Sequence, residues 1–161
     1  MTYCVGMQLD AGLIFMSDTR TNAGVDNISV FRKMVSWEVP GERVITLLTA
    51  GNLATTQSVI SQLEERSKRP ADRRPSILEA PSMFQLANIV GKPWRDTITS
   101  VAMGSAEAES KFDATIILGG QILGSPPRLF LIYPEGNFIE ASADTPFFQS
   151  GETKYGRPIL V

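Results

Sequence analysis

The N-terminal part of the chain alternates between apolar and polar positions in short runs, a pattern typical of β-strands. The alternation is clearest at residues 2–9, where every second side chain is apolar. Residues 10–12 are predicted to form a three-residue turn with Gly12 at a positive φ, and a second strand follows at 13–17. The polar stretch 19–27 is predicted to be a loop, and further strands are expected at 28–31, 34–39 and 44–49.

Beyond Gly51 the apolar spacing changes from two residues to three or four, which is the period of an amphipathic helix. A first helix is predicted from about Leu53 to Arg66, and a second one starts near Pro81 and should be kinked or broken by Pro93. The connection is expected to be exposed over 67–80, and strands return at 113–122, 128–133 and 138–141. This order favours a layered α+β sandwich over a Rossmann alternation.

The amino-acid composition excludes several classes of function. The 161 residues carry a net charge of −2, which gives no electrostatic argument for a nucleic acid or an anionic membrane as partner. The chain has no histidine and one cysteine, Cys4, which excludes histidine catalysis, histidine or cysteine metal sites and an internal disulfide. No metal or other cofactor is expected. Because neither a signal peptide nor an apolar run of about 20 residues is found, a cytoplasmic protein is expected.

Two motifs carry only weak functional interpretations. Gly119-Gly120-Gln121 resembles the tripeptide of release factors, but it continues an apolar run where those proteins need an exposed loop. A basic cluster at residues 66–74 is interrupted by acidic residues and contains no aromatic residue, so a solvated surface is favoured over a nucleic-acid site.

Thr2 is the most informative position in the chain. Cytosolic processing is expected to remove Met1 because a small residue follows it, and Thr2 would then carry a free α-amine with a pKa of about 7.7–8.0. Such an amine can take the proton from the hydroxyl of the same residue, which makes threonine a nucleophile without histidine. A Met-Thr start is common among proteins, so this interpretation depends on the neighbouring residues.

The three-residue turn predicts a register for the first two strands. It places Cys4 opposite Asp18. Thr2 then lies opposite Arg20, and Asp18 becomes its diagonal neighbour on the same face, about 7–8 Å away. A two-residue turn would put Thr2 and Asp18 on opposite faces. Asp18 is expected to hold a cation beside Thr2, with Lys33 as the candidate, and the alternative is a solvated charge at the end of a strand.

Gly51 lies between a buried strand and a helix. Backbone N–H groups at a helix N-terminus have no partner within the helix and share its positive end, so they suit an oxyanion. Glycine also lets a carbonyl group come close to the backbone. The simpler interpretation of Gly51 is an ordinary turn between a strand and a helix.

Four segments carry a specific resemblance to a known family: TYCVGMQLDAGLIFMSDTRTNAG, TAGNLATTQ, GGQILGSPPRLFLIYPEGNFIEA and TPFFQSGETKYGRPIL. Along essentially its whole length the chain closely resembles the Anbu proteins, which are bacterial proteasome-related peptidases. The resemblance implies the four-layer αββα sandwich of the N-terminal nucleophile hydrolases, as one proteasome-subunit-like domain over residues 1–161. It also implies a homo-oligomer, a ring or an open spiral, with the two predicted helices as the candidate contact surface.

The resemblance also implies roles for individual residues. Thr2 would be the nucleophile, Asp18 would orient Lys33, and the Lys33 ammonium would lower the pKa of the Thr2 hydroxyl. The Gly51 N–H would bind the oxyanion, and Ser150 would hydrogen-bond the terminal amine. The residues that would line the pocket for the substrate residue before the cleaved bond are Thr21, Phe31, Thr49 and Leu53.

The chain departs from the family at two places. Family members continue well beyond the motif at 154–160, whereas this sequence stops at Val161, so the remaining helices and strands of the sandwich are expected to be absent. The strands between residues 113 and 141 are therefore expected to expose an apolar face or to have an abnormal partner. Pro93 falls where relatives keep an uninterrupted helix.

The leading function is hydrolysis of peptide amide bonds through an acyl-enzyme on Thr2. Two alternatives stay open at this point. One is a proteasome-like assembly subunit without efficient catalysis, and the other is a small-molecule amidase of the same fold.

Overall fold

The computed structural model describes residues 2–22, 28–30, 32–68, 75–102 and 115–151. Within these residues the strands are β1 Tyr3–Leu9, β2 Gly12–Ser17, β3 Arg20–Asn22, β4 Ile28–Val30, β5 Met34–Val39, β6 Arg43–Ala50, β7 Thr115–Ile122, β8 Arg128–Ile132, β9 Phe138–Glu140 and β10 Phe147–Gly151. The helices are α1 Leu53–Lys68 and α2 Met83–Ala102. The predicted order of strands, two helices and strands is confirmed.

The strands form two antiparallel sheets and one short hairpin. The five-stranded sheet has the order β5-β6-β7-β8-β9, and the three-stranded sheet has the order β10-β1-β2. β3 pairs only with β4 among the described strands. Because β1 pairs with β10, Tyr3 near the start of the chain lies opposite Gly151.

The five-stranded sheet is buried on both faces because its strands direct apolar side chains to either side. Ile45 and Leu47 of β6 face the helices, whereas Leu48 faces the three-stranded sheet. The core on the helix side includes Leu63, Trp94, Ile116, Leu118 and Phe130. The core between the two sheets is formed by Cys4, Leu48, Ile117, Leu129 and Phe148. The layers are therefore helix, sheet and sheet, and the predicted α+β class is confirmed.

Two glycines let the sheets approach each other closely. An ideal Cβ at Gly119 would lie 2.5 Å from the Phe15 ring, and one at Gly6 would lie 2.8 Å from the Ile117 side chain. Both distances are shorter than carbon atoms tolerate, so a side chain at either position would push the sheets apart. The tripeptide that starts at Gly119 therefore belongs to a packed strand, not to the exposed loop that a release factor needs.

The predicted register of the first hairpin is wrong by one residue. Leu9 pairs with Gly12, so the loop has two residues. Cys4 therefore pairs with Ser17 rather than with Asp18. Gly12 has the predicted positive φ, 135°, but it adopts this φ as the first residue of β2 and not within the loop. Without a Cβ it can begin the strand directly after a two-residue connection.

The predicted loop at 19–27 contains a strand. Arg20–Asn22 pairs with Ile28–Val30, so Arg20 lies opposite Val30 and not opposite Thr2. The residues of β3 are all polar, so this strand leaves no apolar alternation in the sequence. Residues 23–27 and Phe31, the predicted end of the next strand, lie outside the described residues.

The described end of the connection between the helices, residues 75–80, is less exposed than predicted. α1 continues to Lys68, and Ile77 and Ala80 are only 1% and 2% exposed in the core on the helix side. Their carbonyl groups accept hydrogen bonds of 3.4 and 2.9 Å from Arg43 Nη1. The turn at residues 77–80 therefore packs against the helices, and hydrogen bonds from Arg43 connect it to the start of β6.

The second helix begins at Met83, slightly later than predicted, and the Ser82 hydroxyl caps its first turn. It continues past Pro93, so the predicted break does not occur. Val90 and Trp94 on either side of Pro93 are fully buried. Their packing on the five-stranded sheet outweighs the cost of about 3 kcal/mol that a proline imposes inside a helix.

The exposed apolar face lies in a different sheet from the one predicted. β7 and β8 are covered on both faces, and Ile117 and Phe130 are fully buried. Both described helices pack on the five-stranded sheet. On the outer face of the three-stranded sheet, Ile14 and Met16 are 46% and 55% exposed. The prediction failed because element order alone does not say which sheet the helices cover.

Candidate active site

Eight ends of the described strands meet at one end of the sandwich. β1, β5, β7 and β9 begin there, and β2, β6, β8 and β10 end there, as their antiparallel registers require. Thr2 directly precedes β1 and is half-buried. This end of the molecule therefore gathers residues from both sheets around the predicted nucleophile.

Asp18 connects the end of β2 to the residue before β5. Its Oδ2 lies 2.6 Å from Lys33 Nζ, so the ion pair proposed from the sequence is present. Its Oδ1 accepts a 2.8 Å hydrogen bond from the Tyr3 N–H, the amide directly after Thr2. The Asp18 N–H donates a 3.1 Å hydrogen bond to the Tyr3 carbonyl, so Asp18 lies beside Tyr3 and still reaches Lys33 despite the shifted register.

Lys33 carries a buried charge. Its side chain is 4% exposed, whereas that of Asp18 is 33% exposed, so the pair runs from the interior towards the surface. The Lys33 carbonyl accepts a 2.9 Å hydrogen bond from the Thr49 N–H, which fixes its backbone against the end of β6. Burying an ammonium group costs several kcal/mol, and the Asp18 carboxylate offsets that cost.

Cys4 lies beside this ion pair, although the sequence does not single it out as a site residue. It is fully buried, and its Sγ donates to the Thr49 carbonyl oxygen at 3.7 Å. Burial raises the pKa of the Cys4 thiol to about 12, with a lowering contribution from Lys33 and a raising one from Asp18. The thiol is therefore a neutral packing group and not a nucleophile.

Ser150 and Gly151 bring β10 against the start of the chain. Ser150 pairs with Cys4 and is 5% exposed, and its hydroxyl forms a hydrogen bond with the Thr115 hydroxyl across the two sheets. Gly151 has a φ of 94°, and a Cβ there would lie 2.1 Å from the Thr2 carbonyl oxygen. Glycine at this position therefore lets the Thr2 backbone pass close to β10.

Gly51 connects β6 to α1 with a φ of 123°, a value that favours glycine. The Asn52 side chain caps the helix by accepting a 3.2 Å hydrogen bond from the Thr55 N–H. Gly51 thus lies at the N-terminal end of a 16-residue helix. Backbone N–H groups at such an end carry the positive pole of the helix.

The predicted substrate-pocket residues are only partly described. Thr49 is 3% exposed, and its hydroxyl donates to the Lys33 carbonyl at 3.5 Å. Leu53 begins α1 and is half-buried. Thr21 belongs to β3, and Phe31 lies outside the described residues. The assignment of these four residues to a pocket stays a prediction.

Thr115 is a residue of this end that the sequence does not point to. It is the first residue of β7 and pairs with Ala50, which directly precedes Gly51. In the sequence, Thr115 is marked only as a hydroxyl residue at the start of an apolar strand. Many strands begin in this way, so the pattern does not indicate a site. The contact with Ser150 depends on the packing of two sheets and is visible only in the folded chain.

Other classes of site were also sought in the described ranges. Within them, no group of three or more carboxylate or cysteine side chains is arranged to hold a metal ion. Neither of the helices in the same ranges is long and apolar enough to cross a membrane.

Solved structures of Anbu proteins are similar to this chain. The Gly-1 mutant of Anbu from Hyphomicrobium sp. strain MC1 is 50% identical over 99% of the chain, with a TM-score of 0.85. Anbu from Yersinia bercovieri, described as an ancestral beta-subunit, is 49% identical over 98%, with a TM-score of 0.88. Anbu from Pseudomonas aeruginosa, solved as a helical assembly, is 46% identical over 98%, with a TM-score of 0.86.

The chain spans 64% of the length of each of these solved chains. No family model matches it, and a search of the curated proteins finds no match either. The fold is that of a proteasome-like subunit of the N-terminal nucleophile hydrolase type. Within this class the relatives are Anbu proteins, and the resemblance of the chain to that family is confirmed.

Proposed function

We propose that the protein, once Met1 is removed, hydrolyses peptide amide bonds through an acyl-enzyme on Thr2. The observation that carries the proposal is the position of Asp18. One of its carboxylate oxygens pairs with Lys33 at 2.6 Å, and the other binds the amide directly after Thr2. One carboxylate thus ties a buried cation to the residue that would be the N-terminal nucleophile.

The reaction proceeds in two halves. Thr2 Oγ1 attacks the substrate carbonyl carbon, and its proton passes to the neutral α-amine of the same residue. The amine gives this proton to the leaving nitrogen as the C–N bond breaks, which leaves an ester on Thr2. Water then attacks the ester carbon, and departure of the carboxylic acid restores the hydroxyl. An amine with a pKa of about 7.7–8.0 suits both transfers near neutral pH.

The surrounding residues act on the charge that develops in this reaction. The Lys33 ammonium favours the alkoxide form of the Thr2 hydroxyl, and Asp18 orients it. The Gly51 N–H at the start of α1 binds the oxyanion of the tetrahedral intermediate, since the positive end of a helix favours negative charge. Ser150 hydrogen-bonds the terminal amine.

The substrate class follows from the pocket that is proposed beside Thr2. Thr21, Phe31, Thr49 and Leu53 line the position of the residue before the cleaved bond. A peptide in the cytoplasm is the proposed substrate, and a small-molecule amide is the alternative within the same chemistry. Turnover of fluorogenic peptide amides compared with free amino-acid amides distinguishes these two classes.

Covalent labelling of three forms of the protein tests the nucleophile. These forms are the protein with Thr2 as its first residue, the protein that retains Met1, and Thr2→Ala. A peptide epoxyketone, which captures both the hydroxyl and the amine of an N-terminal threonine, is expected to label the first form only. Thr2→Ser should keep part of the labelling because its hydroxyl and amine remain. Equal labelling of all forms, or labelling of none, contradicts the proposal.

A second candidate is an assembly subunit without efficient catalysis. Exposed apolar residues favour contact with another polypeptide at two surfaces, which are the helical layer with Phe84 and the outer face of the three-stranded sheet with Ile14 and Met16. One of the Anbu relatives was solved as a helical assembly. We propose a homo-oligomer, an open spiral or a ring, and a protein that assembles but never reacts with the epoxyketone would support this candidate over the enzyme.

A further inference from the structure

A hydroxyl pair connects the two sheets at the candidate active site. Ser150 belongs to β10 of the three-stranded sheet, and Thr115 begins β7 of the five-stranded sheet. Their side-chain oxygens are hydrogen-bonded to each other, and either of them can be the donor. Ser150 is the residue proposed to contact the terminal amine, whereas Thr115 has no role in the mechanism described above.

The strand register places this pair on the same side as Thr2. Ser150 lies opposite Cys4, and Cys4 faces the core between the sheets. Side chains two residues apart in a strand point the same way, so Thr2 continues the face of Cys4. Ser150 is therefore a diagonal neighbour of Thr2, and Gly151, the residue after Ser150, lies directly against the Thr2 carbonyl group.

The Thr115 bond limits what the Ser150 hydroxyl can do. A serine hydroxyl has one proton to donate and two lone pairs that accept, and its proton rotates towards the best partner. When Thr115 donates to Ser150, the Ser150 proton is free to turn to the nitrogen of Thr2. A hydrogen bond donated to that nitrogen favours the neutral amine, which is the form that acts as a base.

We propose that Thr115 is a positioning residue, which donates to Ser150 and thereby keeps the Ser150 proton directed at the Thr2 amine. This inference rests on the proposed function, because Thr115 would influence the Thr2 amine, which is the base of that reaction. Without the Thr115 hydroxyl, a further lone pair of Ser150 is open to accept a hydrogen bond from the amine, which favours the ammonium form. The other titratable groups that the structure places around this end are Asp18, Lys33, Cys4 and Tyr3, and the proposed substitutions alter none of them.

The test titrates the amine directly. The full chain with Thr2 as its first residue, labelled with ¹⁵N-threonine, is followed by NMR between pH 5 and 10 as wild type, Thr115→Val and Thr115→Ser. Thr115→Val is expected to raise the midpoint of the amine titration by roughly half to one pH unit, the equivalent of one net hydrogen bond. Thr115→Ser, which keeps the hydroxyl, should stay within about 0.2 units of wild type.

Two further variants separate positioning from a general loss of packing. Thr46→Val removes a similar pair of hydroxyl groups in the middle of β5 and β6, where Thr46 and Ser36 are hydrogen-bonded at 2.9 Å. This variant should leave the midpoint of the amine titration unchanged. In a Ser150→Ala background, Thr115→Val should cause no further shift, because its effect passes through Ser150. Thr115→Ala carries the same expectation as Thr115→Val and replaces it should that variant not fold.

The outcomes distinguish this inference from the proposed function. A wild-type midpoint in a folded Thr115→Val or Thr115→Ala protein overturns the inference, and so does a shift that persists without Ser150. Labelling by the epoxyketone is measured on the same samples. Normal labelling with an unshifted midpoint contradicts the role of Thr115 alone, whereas a shifted midpoint without any labelling in wild type contradicts only the hydrolase.

Discussion

Lys33 and Asp18 form an ion pair in which the cation is buried and the carboxylate reaches the surface, with 2.6 Å between Nζ and Oδ2. The pair also crosses between the sheets, because Lys33 precedes β5 and Asp18 follows β2. This charge interaction therefore connects the two sheets at the end where Thr2 lies, as the hydrogen bond between Ser150 and Thr115 also does. This arrangement makes both stability and chemistry depend on Asp18.

Asp18→Asn is expected to lower the free energy of unfolding by about 2 kcal/mol, because the buried ammonium loses this carboxylate. The asparagine keeps an oxygen for the Tyr3 N–H, so the loss reports mainly on charge. Glu65→Gln is the matched control, because Glu65 forms an ion pair with Lys68 and both side chains are 65% exposed. This substitution should change the free energy of unfolding by less than about 0.5 kcal/mol. Urea denaturation of both variants is the measurement, and equal effects would contradict the assigned role of Asp18.

The Cys4 thiol makes stability depend on alkaline pH. In the folded protein burial raises the pKa of Cys4 to about 12, whereas the unfolded thiol ionises at its ordinary pKa of 9.0. Between these values the unfolded state loses its proton more readily, so the free energy of unfolding should fall as pH rises above about 9. Urea denaturation from pH 7 to 10.5 measures the slope, and Cys4→Ala should remove the part of the slope that this thiol causes.

Native Cys4 should also resist alkylation. Iodoacetamide reacts with the thiolate, and a fully buried thiol with a pKa of about 12 offers almost none below pH 9. Mass spectrometry is expected to show no adduct in the folded protein and a complete adduct in 8 M urea. Rapid alkylation without denaturant would show that Cys4 is accessible, contrary to the packing between the sheets.

Gly151→Ala should displace Thr2. The new Cβ would lie 2.1 Å from the Thr2 carbonyl oxygen, at a φ of 94° that disfavours alanine. We expect a loss of roughly 3 kcal/mol in stability and of most epoxyketone labelling. Gly124→Ala is the control, because its φ of 80° is similarly strained but no atom lies within 4 Å of the new Cβ. Gly124→Ala should lower the free energy of unfolding by about 1 kcal/mol and leave labelling unchanged. Equal behaviour of the two variants would contradict the claim that Gly151 is needed for the close approach of Thr2.

Two surfaces compete for the proposed assembly. The helical layer exposes Phe84, which is 51% exposed and packs edge-on against Phe138 at 5.4 Å. The outer face of the three-stranded sheet exposes Met16. Because the helices are the surface inferred from the sequence, Phe84→Asp is expected to shift sedimentation towards smaller species, and Met16→Lys is not. The reverse result would transfer the contact to the three-stranded sheet, and a wild type that stays monomeric at micromolar concentration would contradict assembly.

The strands and helices themselves follow from local patterns. Met34–Val39 is a strand in the structure as in the prediction, and Leu53 begins α1 as predicted, because alternation and helical spacing mark the face that each element buries. Prediction failed where local pattern and backbone pairing differ. Arg20–Asn22 pairs through its backbone without an apolar face, and α2 continues through Pro93 because packing on the sheet outweighs local preference.

The amino-acid sequence by itself determined the residue types of the candidate site and excluded histidine chemistry, since both depend only on which side chains are present. It also named Lys33 as the cation held by Asp18, whereas the hairpin register that was predicted to put Asp18 beside Thr2 was wrong by one residue. Only the tertiary structure decided that register, the sheet that the helices cover, and the contact of Ser150 with Thr115. These features arise from the packing of one sheet on another, which joins residues far apart in the chain, and no local pattern of apolar spacing records such contacts.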